Sequence, residues 1–256
     1  MAFRSPSARR APWPLVLLLT ACLPLGPDDA SKNDFVVGSP YLAAILKPPA
    51  GWDTTRTYPL VVALHGNGGT AGGFAPLMAP FAAASYYVAV PEAPYARSDG
   101  GYSWFYLIGD RTLWESYDTL SVRAVVALVA TLRERYHIGE VYLLGFSQGV
   151  SLAYMTAFRN PALVRGVAAI SGFLPEIDTV GAIVRGADVD SAQGVRVFVA
   201  RGTGDDVISR REYLRQVDLL TSHAYAITTF EFDGGHELTN RVVGRALEWL
   251  RAEGRR

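Results

Sequence analysis

Five consecutive residues constrain the fold of this 256-residue chain more than any other stretch: Gly145-Phe146-Ser147-Gln148-Gly149. An apolar run typical of a buried strand, residues 141–144, precedes them, and residues 150–155 continue as a helix. A serine on such a tight turn has a strained backbone, and the positions two residues before and after it require almost no side chain. The pattern Gly-x-Ser-x-Gly in this setting predicts a nucleophilic Ser147, although an ordinary strand–helix turn can contain the same residues.

The length and charge of the chain limit the classes of protein to which it can belong. A chain of 256 residues suits one large α/β domain or two small ones, and half of its residues are hydrophobic, which is ample for a core. Lys plus Arg and Asp plus Glu balance at 24 each. This balance gives no general attraction to nucleic acid or to anionic membranes, so we expect no nucleic-acid partner.

The first residues resemble an export signal rather than part of the fold. Arg4, Arg9 and Arg10 precede an apolar core, residues 14–19, that is too short to span a bilayer as a stable helix. The sequence Leu19-Thr20-Ala21-Cys22 then resembles the lipobox of bacterial lipoproteins. In that family the cysteine is lipidated and becomes the first residue of the mature protein.

This resemblance implies a division of the chain into a signal peptide over residues 1–21, a tether over residues 22–36 and a single domain over residues 37–256. Acyl chains on Cys22, the only cysteine, would hold the protein at a membrane surface without a transmembrane helix. The protein is then expected in the bacterial cell envelope, in the periplasm or at the outer membrane. A plain secretory signal with an incidental cysteine is the alternative and predicts a secreted protein.

Apolar runs alternate with helical periodicity along the rest of the chain. We predict strands at residues 41–46, 58–64, 86–90, 141–144, 166–170, 195–200 and 226–232. We predict helices at residues 74–85, 115–136, 150–160, 210–222 and 237–251, with loops at 97–110 and 171–194. Because the strands are apolar throughout, the pattern predicts a mainly parallel central sheet with helices on both faces.

A serine hydroxyl needs a base within hydrogen-bond reach, and the base needs an acid to orient it. His223 and His236 are the histidines that follow Ser147. His236 is the predicted base because it comes directly after the last strand and two glycines, whereas His223 lies at the end of a predicted helix. Asp205, after a Gly-Thr-Gly turn, is the predicted acid in preference to Asp206.

The loop after an early strand is expected to supply a second donor for an oxyanion, beside the N–H of Gln148. Residues 65–69, His-Gly-Asn-Gly-Gly, are glycine-rich enough for the main chain to approach a substrate, and the N–H of Asn67 is the candidate. His65 is interpreted as structural rather than as a second base or metal ligand. With four histidines and no His-Glu-x-x-His helix, we expect no catalytic metal and no cofactor.

These motifs together resemble the phospholipase/carboxylesterase family of the α/β-hydrolase superfamily, which includes acyl-protein thioesterases. The resemblance spans roughly residues 40 to 252 and depends on Leu64-His65-Gly66-Asn67-Gly68, Trp104-Phe105, Gly145-Phe146-Ser147-Gln148-Gly149, Ser171-Gly172, Gly202-Thr203-Gly204-Asp205 and Gly234-Gly235-His236-Glu237. It implies an α/β-hydrolase fold, a triad of Ser147, Asp205 and His236, and an oxyanion hole formed by the N–H groups of Asn67 and Gln148. Family members hydrolyse esters or thioesters of short- to medium-chain acyl groups, lysophospholipids among them.

Several positions depart from the family pattern, and they affect substrate preference rather than the catalytic groups. Val150 replaces a glycine after the elbow, Tyr106 follows the Trp-Phe pair in place of an aspartate, and Arg201 replaces a histidine. Trp104, Phe105 and Phe173 are candidates for an apolar acyl pocket, with a place in the core as the alternative for each. Residues 173–194 are a candidate cover over the site.

Other functions share parts of this pattern. Secreted esterases of the feruloyl-esterase or polyhydroxyalkanoate-depolymerase kind are the main alternative. A peptidase or acyltransferase on the same fold has less support because nothing in the sequence suggests a propeller or a large lid. A non-catalytic binding module has less support because all the catalytic residue types and glycines are present. The acyl and alcohol parts of the substrate and the oligomeric state are not determined by the sequence.

Overall fold

A computed structural model describes residues 34–37, 42–106 and 113–253. The predicted signal peptide, Cys22 and most of the predicted tether lie outside the described residues. Within the described ranges, no helix is both long and apolar enough to cross a membrane.

The domain is built on a sheet of eight strands with a separate two-stranded hairpin. The strands are β1 Asp34–Val37, β2 Ala43–Lys47, β3 Tyr58–Leu64, β4 Tyr87–Pro91, β5 Tyr95–Ala96, β6 Tyr102–Ser103, β7 Ile138–Phe146, β8 Gly166–Ile170, β9 Arg196–Gly202 and β10 Ile227–Phe232. The order in the large sheet is β1-β2-β4-β3-β7-β8-β9-β10, and β5 pairs with β6. From β4 to β10 every pairing in the large sheet is parallel, whereas β2 is antiparallel to both β1 and β4.

Helices cover both faces of this sheet. They are α1 Ala71–Phe74, α2 Ala79–Ala83, α3 Trp114–Arg135, α4 Gln148–Arg159, α5 Gly186–Ser191, α6 Arg210–Ser222 and α7 Asn240–Glu253, and a 3₁₀ turn, Ala75–Met78, joins α1 to α2. One apolar cluster packs α3, α4, α5 and α6 on the first face, and another packs α1, α2 and α7 on the second. The predicted mainly parallel sheet between two helical layers is confirmed.

Strand β3 shows why the central strands are apolar at every position. Leu60, Val62 and Leu64 belong to the cluster on the first face, while Val61 and Ala63 belong to the cluster on the second. Alternate residues of a strand point to opposite faces, so a strand between two helical layers has no face left for polar residues.

The structure corrects the predicted helix over residues 74–85. The segment divides into α1, the 3₁₀ turn and α2, with Pro76 and Pro80 each at the start of a new element. Proline lacks the N–H that would continue an α-helix, so each proline begins a new short helix.

Other corrections concern segments without a clear period. The hairpin β5–β6 lies in and beside the predicted loop over residues 97–110, and α5 lies in the predicted loop over residues 171–194. Helix α7 begins at Asn240 rather than at residue 237. Residues 34–36, which were predicted as tether, belong to β1, where Phe35 lies opposite Ile45.

Backbone contacts at the turn after β7 leave no room for side chains. Ser147 has φ 52° and ψ −119°, a conformation that a residue other than glycine rarely adopts. A Cβ atom on Gly145 would lie 2.5 Å from the carbonyl oxygen of Gly149. A Cβ atom on Gly149 would lie 2.2 Å from the carbonyl oxygen of Leu64 in β3. The first turn of α4 therefore rests directly on the main chain of β3.

We expect Gly149→Ala to destabilise the fold by about 2–3 kcal/mol, because the added methyl group would force the backbones of α4 and β3 apart. The matched control is Gly194→Ala, where a Cβ would have no heavy atom within 4 Å. That control is expected to change the free energy of unfolding by less than about 0.5 kcal/mol. Urea denaturation of the variants measures the difference, and equal stabilities would contradict the steric account.

Candidate active site

The structure brings Ser147, His236 and Asp205 into one hydrogen-bonded chain. Nε2 of His236 lies 2.9 Å from Oγ of Ser147. Nδ1 of the same ring lies 3.1 Å from both carboxylate oxygens of Asp205. With the proton on Nδ1 donated to Asp205, Nε2 has its lone pair directed at the serine hydroxyl, which is the arrangement that general-base activation requires.

The three residues meet because their strands end at the same edge of the sheet. Ser147 follows β7, Asp205 lies beyond the end of β9, and His236 lies beyond the end of the neighbouring β10. The loops that hold Asp205 and His236 are bonded to each other, since the N–H of Gly204 donates to the carbonyl of Gly234 at 2.9 Å. The distance between acid and base is therefore set by main-chain contacts.

Asp205 is buried and is held by the backbone of its own loop. Its Oδ1 accepts the N–H groups of Val207 at 3.0 Å and Ile208 at 2.8 Å. Burial alone would raise the pKa of Asp205, but the N–H of Ile208 and the nearby His236 outweigh that effect and hold the pKa below its usual value. Asp205 therefore remains a carboxylate near neutral pH, while Asp206 is exposed to solvent.

Arg201, one of the departures from the family pattern, fixes the acid loop. Its guanidinium is buried and donates from Nε to the carbonyl of Ile208 at 2.7 Å and from a terminal nitrogen to the carbonyl of Asp205 at 2.9 Å. These two bonds join the ends of the turn in which the Asp205 carboxylate is held. The arginine thus positions the loop through its backbone.

Residues 65–69 lie directly against the turn that holds Ser147. A Cβ atom on Gly66 would lie 3.2 Å from Cβ of Ser147. Asn67 lines the same cavity as Ser147, and its side-chain oxygen accepts a hydrogen bond from Arg97 at 3.0 Å. Gln148 is the first residue of α4, so its N–H has no partner within the helix. Asn67 and Gln148 thus both line the cavity that contains Ser147.

His65 is part of the internal bonding of this loop. Nδ1 lies 2.8 Å from the carbonyl of Gly66, and Nε2 accepts the N–H of Ala93 at 3.2 Å. Burial lowers the pKa of His65, although Gly66 and Glu92 oppose that effect. A neutral, buried imidazole with both nitrogens engaged agrees with the structural interpretation of this residue.

The side chain of Gln148 has a second role that the sequence did not reveal. Its Oε1 accepts the buried N–H of Trp104 at 2.9 Å, and its Nε2 lies 3.0 Å from Oγ of Ser103. Glutamine therefore ties the turn after β7 to the hairpin β5–β6. Since an amide side chain both accepts and donates, it satisfies groups that an apolar residue would leave unpaired.

The structure corrects the prediction that Trp104 lines the substrate pocket. Trp104 is fully buried in the core, and its indole N–H donates to the carbonyl of His65 at 2.7 Å. The alternative interpretation as a core aromatic was the right one for this residue. Phe105 and Phe173, by contrast, both line the cavity that contains Ser147.

This cavity has a volume of about 710 Å³, and Ser147 and His236 are among its lining residues. Its walls come from three further parts of the chain. The start of α3 contributes Trp114 and Asp118. The segment after β8 contributes Leu174, Pro175, Glu176, Gly181 and Ala182. Helix α6 and the residues before it contribute Val207, Ile208, Glu212, Arg215 and Gln216. The segment over residues 173–194 thus supplies one wall of the cavity.

Asp118 and its neighbours on α3 are pocket residues that sequence reasoning missed. On this helix the apolar Leu120 is exposed, whereas the charged Asp118 is buried. Asp118 lies four residues before Val122 and seven before Val125, so it is on the buried face of the helix. The signal that could have identified Asp118 is its helical spacing from Val122 and Val125, which places a charged residue on the same face as apolar ones.

Val150, where the family has a glycine, is accommodated by a glycine on the neighbouring loop. A Cβ atom on Gly172 would lie 2.3 Å from Cβ of Val150. The valine side chain therefore fills the space that a larger residue at position 172 would occupy. With valine at position 150, α4 still begins at Gln148, directly after Ser147.

A family model described as alpha/beta hydrolase fold matches residues 59–188, just over half of the chain. The chain belongs to this family. The Ser147–His236–Asp205 arrangement lies in the order along the chain that the family uses, serine, then acid, then histidine.

The individual proteins that this chain resembles are more distant relatives. MhqD of Bacillus subtilis is 23% identical over 117 residues, which is 46% of this chain and 54% of that protein. Acyl-protein thioesterase 1 of Mycosarcoma maydis is 36% identical over 76 residues, 30% of each protein. The chain thus spans about half or less of the length of these curated relatives.

Among solved structures, the Bacillus cereus carboxylesterase has a TM-score of 0.67 with 20% identity, over 84% of this chain and 96% of that one. At this level of identity the likeness establishes the fold.

Proposed function

We propose that the protein is a serine hydrolase that cleaves carboxylic esters through an acyl-enzyme on Ser147. The observation that carries this proposal is the hydrogen-bonded chain from Ser147 through His236 to a buried, ionised Asp205, with Ser147 and His236 lining a largely apolar cavity. Membership of the α/β-hydrolase family and the similarity to a carboxylesterase and an acyl-protein thioesterase support it.

In the first half of the reaction, Oγ of Ser147 attacks the ester carbonyl carbon while Nε2 of His236 accepts the hydroxyl proton. The resulting imidazolium faces Asp205, whose carboxylate has a lowered pKa and therefore stabilises the positive charge. The tetrahedral intermediate then collapses, the C–O bond to the alcohol breaks, and the imidazolium returns its proton to the leaving alcohol.

The negative oxygen of the tetrahedral intermediate needs donors that are already in place. The N–H groups of Gln148 and Asn67 are the proposed donors, and that of Gln148 also lies at the positive end of α4. Each donor in such an oxyanion hole typically contributes about 100- to 1000-fold in rate.

In the second half, a water molecule attacks the acyl carbon of the serine ester. His236 accepts a proton from the water and donates it to Oγ of Ser147 as the acid leaves. The cavity suits a short- to medium-length acyl group, with Phe105 and Phe173 among the residues that contact it. Thioesters and lysophospholipids are further candidate substrates, and feruloyl esters represent the alternative class.

A fluorophosphonate probe tests the reaction class. We expect the probe to label the protein and Ser147→Ala to abolish the labelling, because the probe phosphonylates an activated serine hydroxyl. A series of p-nitrophenyl esters of increasing chain length, a feruloyl ester and a thioester then defines the substrate. Absence of labelling, or labelling that persists in Ser147→Ala, would overturn the proposal.

Two adjacent aspartates provide a matched pair for the acid. Asp205→Asn is expected to lower kcat by roughly 10⁴-fold, because without the carboxylate the imidazole loses its correct tautomer and orientation. Asp206→Asn is expected to change kcat by less than about twofold, since the Asp206 side chain is exposed to solvent. Steady-state kinetics on a p-nitrophenyl ester measures both, and the reverse order would contradict the assignment.

We propose that Cys22 is lipidated and holds the domain at a membrane surface of the bacterial envelope. The lipobox-like sequence that ends in the single cysteine of the chain supports this proposal. In a bacterial host, the parent is expected in the membrane fraction, and Cys22→Ser is expected to lose its lipid label and leave that fraction. Equal fractionation of the two proteins would favour a plain secretory signal.

A further inference from the structure

Asp118 is a carboxylate inside the proposed substrate cavity, and among the described residues it has no bonded partner. It lies in the second turn of α3, is 8% exposed, and lines the same cavity as Ser147 and His236. No described residue forms a hydrogen bond or an ion pair with its carboxylate. The position is beyond the first turn of α3, so the helix dipole gives it little stabilisation.

A buried carboxyl group without partners costs stability. Burial raises the pKa of Asp118 to about 7, so the group is partly ionised near neutral pH. The stability cost of burying Asp118 falls if a bound ligand supplies a positive charge or a hydrogen-bond donor to its carboxylate. The residues that line the cavity, rather than the pKa of Asp118, indicate whether the ligand carries a positive charge or a neutral donor.

Aromatic side chains line the same cavity as this carboxylate. Phe105, Tyr106 and Trp114 line the cavity with it, and the ring of Tyr106 lies 5.0 Å from that of Tyr117 on the same helix as Asp118. Aromatic faces attract cations such as ammonium groups, and the attraction is stronger when the site is desolvated. A cavity lined by both a carboxylate and aromatic rings therefore matches a cation better than a neutral donor.

The charged side chains that line the cavity also favour a positively charged ligand, because acids outnumber bases among them. The acids are Asp118, Glu176 and Glu212, and the one base among the described lining residues, apart from His236, is Arg215. Glu212 is engaged by Ser209 at the start of α6, and Glu176 accepts a hydrogen bond from Thr179. Among the described lining residues, Asp118 is therefore the acid that remains available to a ligand.

We propose that Asp118, with the aromatic wall of Phe105, Tyr106 and Trp114, binds a positively charged ammonium group of the ester substrate. The inference rests on the proposed esterase function and narrows its substrate class to cationic esters. Asp118 is a specificity residue in this account, since it recognises a part of the substrate away from the bond that breaks.

Pairs of esters that differ only in charge test the inference. One pair is butyrylcholine and 3,3-dimethylbutyl butyrate, which places the charge in the alcohol. The other is the p-nitrophenyl esters of 4-(trimethylammonio)butyrate and 5,5-dimethylhexanoate, which places it in the acyl group. For at least one pair, we expect kcat/KM of the parent enzyme to be at least about tenfold higher for the cationic member.

Asp118→Asn keeps the size of the side chain and removes the charge, so it is expected to reduce that ratio by about tenfold. The matched control is Asp206→Asn, an exposed aspartate outside the cavity, which is expected to keep the parental ratio. A parental ratio at or below one in both pairs, or an unchanged ratio in Asp118→Asn, would overturn the inference.

Binding without turnover separates this inference from the proposed function. Calorimetric titration of Ser147→Ala with the cationic esters is expected to give a Kd that Asp118→Asn, added to the same background, raises about tenfold. Hydrolysis of the neutral esters without any cationic preference would overturn the cation site alone. Charge-dependent binding together with no hydrolysis of any ester by the parent would support the site and overturn the esterase proposal.

Discussion

The contact between the main chains of α4 and β3 is the constraint on which the rest of the site depends. Gly149 places the first turn of α4 against the carbonyl of Leu64, and Gly145 allows the chain to turn back on itself after β7. Ser147 can hold φ 52° only because these contacts determine the path of the backbone on both sides. The strain is confined to the residue whose hydroxyl faces His236.

The charges of the site are held in place by main-chain contacts and by one buried arginine side chain. The loops after β9 and β10 are bonded to each other, and Arg201 holds two carbonyls of the acid loop. Such fixed dipoles need little rearrangement as charge develops during a reaction, which is the condition under which they stabilise a transition state most effectively. The cavity beside them is largely apolar, so these interactions act in a medium of low dielectric.

Much of the fold followed from local pattern. Strand β3 and helix α6 have their predicted bounds, because continuous apolar residues and helical periodicity each have one simple structural solution. The grouping of Ser147 with Asp205 and His236 was expected from motifs at strand ends. The pocket was predicted less well. Its walls depend on contacts between distant segments, so Trp104 was placed in it wrongly and Asp118 was missed.

The central claim is that Ser147 carries the acyl group during turnover. The most direct measurement is peptide mass mapping after an acid quench of the protein mixed with p-nitrophenyl pivalate, since a bulky acyl-enzyme hydrolyses slowly enough to accumulate. The account predicts one pivaloyl group per chain, on the peptide that contains Ser147, formed together with the release of p-nitrophenol. Release of p-nitrophenol with the acyl group on another residue, or with no acylated peptide, would contradict it.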